Sequence, residues 1–207
     1  MNIKILLGLT VYLYLFSLNL LTAEYLSIKK DWEGIEREYL IYLPDNYEES
    51  KQKSYPVIFG LHGYTGTASG FQKETTKGMN LLAEKENIII VYPQGSHFNA
   101  VFQKRSTFVS SWNDLVSNKE QEPSKPKKCK LDRPNYPKPP ECSKFSFCAW
   151  TSCYDDLGFL KSVIEEVSYN YRIDKTRRYM IGMSNGGAMT YRSVSYTHLT
   201  LPTIYSV

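Results

Sequence analysis

The sequence predicts an α/β domain built on a mainly parallel sheet with helices on both faces. Three observations lead to this prediction: strand-like and helix-like segments alternate, one apolar run is continuous, and one long segment is amphipathic. The continuous run at residues 87–92 stops at Pro93, as expected for a strand buried on both faces of a sheet. In residues 154–171, apolar residues recur at spacings of three and four, which predicts a helix with one buried face.

The remaining elements follow in chain order. Strands are predicted at residues 31–32 and 35–43 with a turn at Glu33 and Gly34 between them, and a third strand at residues 56–61. A helical stretch is expected from about Ser69 to Lys85. In the amphipathic helix the residues expected to face inward are Leu157, Leu160, Ile164, Val167 and Tyr171, and those expected to face outward are Lys161, Glu165 and Glu166.

The most informative motif is Gly182-Met183-Ser184-Asn185-Gly186-Gly187, which contains the spacing Gly-x-Ser-x-Gly. A β-prone run at residues 178–181 precedes it, and a segment that can form a helix begins at Ala188. This is the strand, sharp turn and helix that present a nucleophilic serine. Gly182 and Gly186 allow close backbone approach, so the hydroxyl of Ser184 is expected to lie exposed above the sheet.

A second motif supports the first, because the apolar strand at residues 56–61 ends in His62-Gly63-Tyr64. A loop of this type can donate backbone N–H groups to an oxyanion. We therefore expect the amides of Tyr64 and Asn185 to form an oxyanion hole beside Ser184. His62 itself has two interpretations, a general base or a structural residue of the loop, and the motif favours the structural role.

Three carboxylates precede the serine and could be taken for a catalytic acid. Asp155 and Asp156 stand where the long helix begins, and carboxylates in a first helical turn cap free amides and interact favourably with the helix dipole. Asp174 lies between that helix and the strand before Ser184, where we expect a turn residue. Capping and turn roles are therefore predicted for all three.

The motifs together resemble the secreted polyhydroxybutyrate depolymerase and feruloyl esterase group of α/β-hydrolases. The resemblance covers residues 35–192. The blocks that carry it are Arg37-Glu38-Tyr39-Leu40-Ile41-Tyr42-Leu43-Pro44, Leu61-His62-Gly63, Val91-Tyr92-Pro93-Gln94-Gly95, Ser111-Trp112-Asn113, Tyr154-Asp155-Asp156-Leu157-Gly158-Phe159 and Gly182-Met183-Ser184-Asn185-Gly186-Gly187.

This resemblance implies an α/β-hydrolase fold, incomplete at the C-terminus, and a serine carboxylic ester hydrolase that acts through an acyl-enzyme. Polyester oligomers and feruloylated or acetylated polysaccharides are the expected substrates, and no cofactor is implied. Two alternatives remain, a secreted binding protein on the same scaffold and a serine peptidase. The sequence has no phosphate loop, metal-ligand cluster or repeat, its net charge of +4 is weak support for a nucleic-acid partner, and it does not indicate an oligomeric state.

The N-terminus reads as a secretory signal peptide, with Lys4 before an apolar run at residues 5–21 and cleavage expected after Ala23. A membrane anchor is the alternative, because the run is nearly long enough to span a bilayer. The signal peptide predicts a secreted protein, extracellular or periplasmic, without stable membrane insertion after cleavage. The domain itself is then expected at residues 24–192.

An insertion rich in Cys, Pro and Lys is predicted at about residues 118–153. Residues 118–144 hold six of the ten prolines, a composition that cannot build its own core. In an exported protein the cysteines favour disulfide bonds over the alternative of a zinc site, with the pairing left open. Trp112 and Trp150 could line a pocket for an aromatic acyl group or pack in the core. The four cysteines are Cys129, Cys142, Cys148 and Cys153.

The chain after Arg192 is expected to be non-native, because residues 194–203 back-translate to DNA that resembles an adaptor of transposase-based sequencing libraries. A real, short β-prone tail is the alternative. After Ser184 the only histidine is His198, and no Asp or Glu follows. The chain as written is therefore expected to lack a catalytic acid and base and to be inactive.

Overall fold

The computed structural model of the protein describes residues 25–32, 34–49, 51–75, 78–102, 104–114 and 154–197. The strands are β1 (Leu26–Trp32), β2 (Ile35–Tyr42), β3 (Tyr55–Leu61), β4 (Ile89–Pro93), β5 (Ser96–Phe102), β6 (Arg105–Ser111) and β7 (Ile173–Gly182). The helices are α1 (Ala68–Glu74), α2 (Gly78–Glu86), α3 (Asp156–Asn170) and α4 (Asn185–Thr197), and Asp45–Tyr47 forms one 3₁₀ turn.

Five strands form a central sheet in the order β1-β2-β4-β3-β7. The pairs β3/β4 and β3/β7 are parallel, whereas β2 is antiparallel to both of its neighbours, so four of the five strands run in one direction. This confirms the mainly parallel sheet predicted from the sequence. Strands β5 and β6 form a separate antiparallel hairpin, which the sequence patterns did not predict.

Helices cover both faces of the sheet, as predicted, because side chains along each strand alternate between two apolar layers. In β3, Val57, Phe59 and Leu61 pack in one layer with residues of α3 and α4. Ile58 packs in the opposite layer, which contains residues of α1 and α2. The strand β4 is buried along its whole length between these layers, as its continuous apolar sequence indicated.

The helical stretch expected at residues 69–85 was wrong in its continuity, because α1 ends at Glu74 and α2 begins at Gly78. The first helix starts where the Thr67 hydroxyl accepts a hydrogen bond from the Gly70 amide at 2.8 Å.

The side chain of Glu166 in α3 also differs from its predicted outward position. Its carboxylate accepts hydrogen bonds from Lys30 at 2.6 Å and from the Tyr39 hydroxyl at 3.0 Å.

The two aspartates at the start of α3 have different roles. Asp155 is the N-cap predicted from its position, since its side chain accepts from the Gly158 amide at 3.0 Å. The capping role predicted for Asp156 was wrong. Its side chain is fully buried and forms an ion pair with the buried Arg37 at 2.7 Å. The Arg37 guanidinium also lies 4.0 Å from the centre of the Phe159 ring. This ion pair joins α3 to β2 inside the core.

Several sequence predictions lie outside the described residues. They are the signal peptide, the insertion with all four cysteines and Trp150, and the chain from His198 onward. Helix α4 itself continues past Arg192 to Thr197. No helix within the described ranges is long and apolar enough to cross a membrane.

The buried ion pair predicts a large loss of stability when only its cation is removed. Arg37→Met leaves the Asp156 carboxylate buried without a positive partner, and we expect the free energy of unfolding to fall by about 3–5 kcal/mol. The matched control is Lys29→Met, because Lys29 and Glu36 form an exposed pair with side chains 63% and 68% accessible. Urea denaturation of both variants measures the difference, and similar losses in the two variants would contradict the prediction.

Candidate active site

Ser184 stands in the sharp turn between β7 and α4. The strand ends at Gly182, the helix begins at Asn185, and Ser184 is exposed between them. Its φ angle is 52°, a left-handed conformation that non-glycine residues rarely adopt and that costs about 1–3 kcal/mol. A strained, exposed serine at a strand-to-helix turn is the geometry that the Gly-x-Ser-x-Gly spacing predicted.

The glycines on either side of Ser184 are required by close backbone contacts. A Cβ atom at Gly186 would overlap the carbonyl oxygens of Leu61 and His62, and one at Gly182 would overlap the backbone of Gly186. The Met183 amide also donates to the Leu61 carbonyl at 3.1 Å. The start of α4 is therefore pressed against the end of β3, and this contact holds the turn.

The loop after β3 lies directly beside the serine, as the second motif predicted. A Cβ atom at Gly63 would lie 3.5 Å from Cβ of Ser184. Thr65 in the same loop also has a left-handed backbone, with φ of 61°, which is unusual for a β-branched residue. Its amide donates to the Ser110 carbonyl at 2.8 Å, and the Ser110 hydroxyl donates to the Gly66 carbonyl. The hairpin β5/β6 thus holds this strained loop against the turn that bears Ser184.

His62 is fully buried beneath this loop, and both ring nitrogens are occupied. Nε2 lies 2.9 Å from the backbone nitrogen of Gly95 and 3.0 Å from the side-chain nitrogen Nε2 of Gln94. Both of these groups are donors, so Nε2 of His62 is an acceptor. Nδ1 therefore carries the proton and donates to the Gly63 carbonyl at 2.7 Å. Burial lowers the pKa of His62 to about 4, so the ring is neutral at neutral pH. These contacts support the structural role expected for His62.

The two residues expected to donate to an oxyanion belong to the two segments that meet at Ser184. Asn185 is the first residue of α4, and the first backbone N–H groups of a helix have no acceptor within that helix. The helix dipole also favours a negative charge at this end. Tyr64 follows Gly63 in the loop that contacts the serine. Trp112, considered for a substrate pocket, is instead fully buried in the core and donates from Nε1 to the His62 carbonyl at 2.9 Å.

The described residues do not complete a catalytic triad. Neither described histidine hydrogen-bonds Ser184: His62 is turned toward Gly63 and Gly95, and His97 stacks on Phe108 with ring centres 5.1 Å apart. In the described ranges no group of three or more His, Cys, Asp or Glu could hold a metal ion.

The turn expected at Asp174 was wrong, because this residue is the second residue of β7, but its carboxylate is bound by neighbouring residues. Its carboxylate accepts from the Thr176 hydroxyl and from Arg177 Nε, each at 2.6 Å. These hydrogen bonds lower the pKa of Asp174. The acid therefore interacts with its own neighbours in sequence rather than with the residues around Ser184.

Sequence reasoning missed three residues that organise the site. Asp114, Asn113 and Arg192 connect the loop after β6 to the helices: the Asn113 amide donates to Asp156 at 2.6 Å, and Arg192 donates to the Asn113 carbonyl. The Asp114 carboxylate accepts from the Asn185 side chain at 2.7 Å. Asn113 belongs to the Ser111-Trp112-Asn113 block and Asp114 follows it, which was the available signal for these two residues. Arg192 is 79 residues from Asn113, so its contact could not be read from the local sequence.

The glycine contacts predict that Gly186→Ala will disrupt the elbow, which is the turn at residues 182–186 that bears Ser184. Its new Cβ atom would meet backbone that cannot rotate away, so we expect a loss of at least about 1–3 kcal/mol in the free energy of unfolding. Gly78→Ala is the matched control, because nothing lies within 4 Å of a Cβ atom at this helical position. Thermal and urea unfolding measure both variants. If Gly186→Ala were as stable as Gly78→Ala, the proposed close contact would be refuted.

The burial of His62 predicts a pH-dependent stability. Because the folded pKa is about 4 and the ordinary value is 6.5, the unfolded chain binds the extra proton between these pH values. The contribution of His62 to the free energy of unfolding is therefore complete above pH 6.5 and decreases by about 1.4 kcal/mol per pH unit toward pH 4. Urea denaturation across this range should show a steeper dependence for wild type than for His62→Gln, and equal slopes would argue against a neutral His62.

Comparison with known families gives a match to the esterase family model, described as "Putative esterase", over residues 34–128. A bifunctional acetylxylan esterase/xylanase of Neocallimastix patriciarum is 23% identical over 163 residues, which is 79% of this chain and 16% of that protein. The chain therefore spans only a small part of this curated relative.

Solved structures with the same fold include a thermostable esterase, with a TM-score of 0.51, 19% identity and coverage of 84% of this chain and 38% of the other. A ferulic acid esterase has a TM-score of 0.50 and 18% identity, and the match covers 83% of this chain and 54% of the esterase. An S-formylglutathione hydrolase from Agrobacterium tumefaciens has a TM-score of 0.52 and 14% identity, and the match covers 82% of this chain and 51% of the hydrolase. The chain spans about half or less of each structure. With the mostly parallel sheet and the helices on both faces, these similarities identify the α/β-hydrolase fold.

Proposed function

We propose that this chain carries the nucleophile and oxyanion loop of a secreted serine carboxylic ester hydrolase. The observation that carries the proposal is the left-handed, exposed Ser184 at a strand-to-helix turn, in contact with a second strained loop. Strained backbone at two facing loops persists only where the surrounding structure imposes it, and such strain is concentrated at functional sites. The match of residues 34–128 to an esterase family model supports the same class of reaction.

In the proposed reaction, Ser184 Oγ attacks the carbonyl carbon of an ester while a general base takes the hydroxyl proton. The backbone N–H groups of Asn185 and Tyr64 donate to the oxyanion, and the N-terminus of α4 adds its dipole. The tetrahedral intermediate collapses, the base returns the proton to the leaving alcohol, and an acyl-enzyme remains. Water, deprotonated by the same base, then attacks the acyl carbon, and the bond to Ser184 Oγ breaks as the base returns the proton to Oγ and the acid leaves.

The base and its orienting acid are proposed to lie in native sequence beyond Arg192, as the adaptor-like tail suggests. His62 is unsuited to this role because it is buried, neutral and bonded through both nitrogens. Amplifying the gene from source DNA and sequencing it past codon 192 tests the proposal. An open frame that supplies an Asp and a His supports it, whereas a genuine stop codon after Val207 counts against it.

Acylated polysaccharides and polyester oligomers are the proposed substrate classes. A relative that matches most of this chain is named as an acetylxylan esterase/xylanase, which favours acetyl esters of polysaccharides such as xylan among these. The proposed export of the protein suits polymeric substrates, because such substrates cannot enter a cell. A panel of p-nitrophenyl acetate, methyl ferulate, acetylated xylan and hydroxybutyrate oligomers distinguishes the acyl groups.

We predict that Ser184→Ala in the enzyme expressed from the complete gene lowers ester hydrolysis by at least about 10³-fold, because the nucleophile is lost. The control is Ser27→Ala on β1, an exposed serine on the far edge of the sheet. Hydrolysis is measured on the ester panel, and covalent labelling by a fluorophosphonate reports the reactive serine. Activity that survives in Ser184→Ala would assign the reaction to another residue. A wild-type enzyme that binds but cleaves no ester would indicate a binding protein, and cleavage of peptides instead would indicate a peptidase.

A further inference from the structure

A buried carboxylate stands behind the elbow and has no part in the reaction described above. Asp114 follows β6 and is only 7% exposed. Its Oδ2 atom accepts a hydrogen bond from Nδ2 of Asn185 at 2.7 Å. Asn185 is the residue whose backbone N–H is proposed to hold the oxyanion, so this contact places a buried carboxyl group one side chain away from the turn that bears Ser184.

The side chain of Asn185 is held by three hydrogen bonds. Its Oδ1 accepts from the Trp112 amide at 2.7 Å, and its Nδ2 donates to the Trp112 carbonyl at 3.1 Å as well as to Asp114. Both Nδ2 protons and one acceptor position are therefore used. An asparagine suits this site because the Trp112 amide requires an acceptor while the carbonyl and the carboxylate require donors.

The loop that carries Asp114 is itself anchored. The Asn113 amide donates to the buried Asp156 carboxylate at 2.6 Å, and the Asn113 side chain donates to the Tyr154 carbonyl at 2.9 Å. Arg192 of α4 donates to the Asn113 carbonyl. Trp112 is fully buried in the core. Asp114 thus follows a buried, hydrogen-bonded segment, whereas the turn that it contacts contains a strained residue.

We infer that Asp114 is a positioning residue for the oxyanion hole, a role that rests on the proposed esterase function. Its carboxylate fixes the side chain of Asn185, and this fixes the orientation of the Ser184–Asn185 peptide, whose N–H is the proposed donor to the oxyanion. Donors to an oxyanion work only when they are held in place before the charge develops. Asp114 therefore acts on the transition state through Asn185 and leaves ground-state substrate binding unchanged.

A double-mutant cycle in the enzyme expressed from the complete gene tests this inference. Asp114→Ala should lower kcat by about 10- to 100-fold with little change in KM, because a misplaced oxyanion donor weakens only the transition state. In an Asn185→Ala background, Asp114→Ala should cause no further loss. Equal losses in both backgrounds, or an unchanged kcat in the single variant, would overturn the positioning role.

Two further variants separate positioning from folding. Asp114→Asn keeps an oxygen acceptor for Asn185, so this variant should retain more activity than Asp114→Ala. Its thermal stability should equal or exceed that of Asp114→Ala. Asp174→Ala is the matched control, since this aspartate also binds neighbouring side chains but lies away from the site. It should leave kcat unchanged.

A binding measurement provides a second test. The affinity for a boronic acid that forms a tetrahedral adduct with Ser184 should fall in Asp114→Ala together with kcat.

A measurement without turnover keeps this inference distinct from the proposed function. Amide hydrogen exchange of residues 184–188 in the 207-residue chain should be faster in Asp114→Ala than in wild type and unchanged in Asp174→Ala. If exchange responds but the wild-type enzyme hydrolyses no ester, the proposed function fails while the contact stands. If exchange at the elbow is unaffected, Asp114 does not position Asn185 and the inference is overturned.

Discussion

The close backbone contact between the start of α4 and the end of β3 is the constraint on which the site depends. Only glycine fits at residue 186, because any side chain would overlap the carbonyl oxygens of Leu61 and His62. This approach brings the loop after β3 beside Ser184 and holds the serine in a left-handed conformation. The strain is offset by packing elsewhere in the sheet, and it leaves the hydroxyl exposed at the carboxyl end of the strand, where ligands of α/β proteins bind.

Buried polar groups then join the loops around this contact. Neutral His62 links the loop after β3 to Gly95 after β4, and Asn185 links α4 to Trp112 after β6. The Gly95 amide bonded to His62 and the Trp112 backbone bonded to Asn185 lie in different elements from these side chains, so moving one loop would leave buried polar atoms unsatisfied in another. The buried pair of Arg37 and Asp156 extends the same network to β2 and α3. The strained turn is therefore supported by contacts on several sides.

The features that were predicted correctly are ones that residues close together in the chain determine, although two local features were also missed. The serine turn, the Asp155 cap and the buried strand β4 were predicted because a few neighbouring residues determine them. Asp156 was misassigned because its partner Arg37 is 119 residues away. The β5/β6 hairpin was missed, and the break between α1 and α2 has no proline to mark it. The role of the hairpin depends on Ser110 and its contact with the loop after β3.

The sequence by itself determined the strands β2, β3 and β4, the helix α3, the glycine spacing around Ser184 and the loop that follows β3, because backbone sterics and hydrophobic periodicity act over short stretches of chain. Only the tertiary structure decided that His62 is buried and neutral, that Trp112 belongs to the core and that Asp114 contacts Asn185. Burial controls protonation, and hydrogen-bond partners are chosen by which elements pack together. These properties belong to the packed chain and cannot be read from any one segment of it.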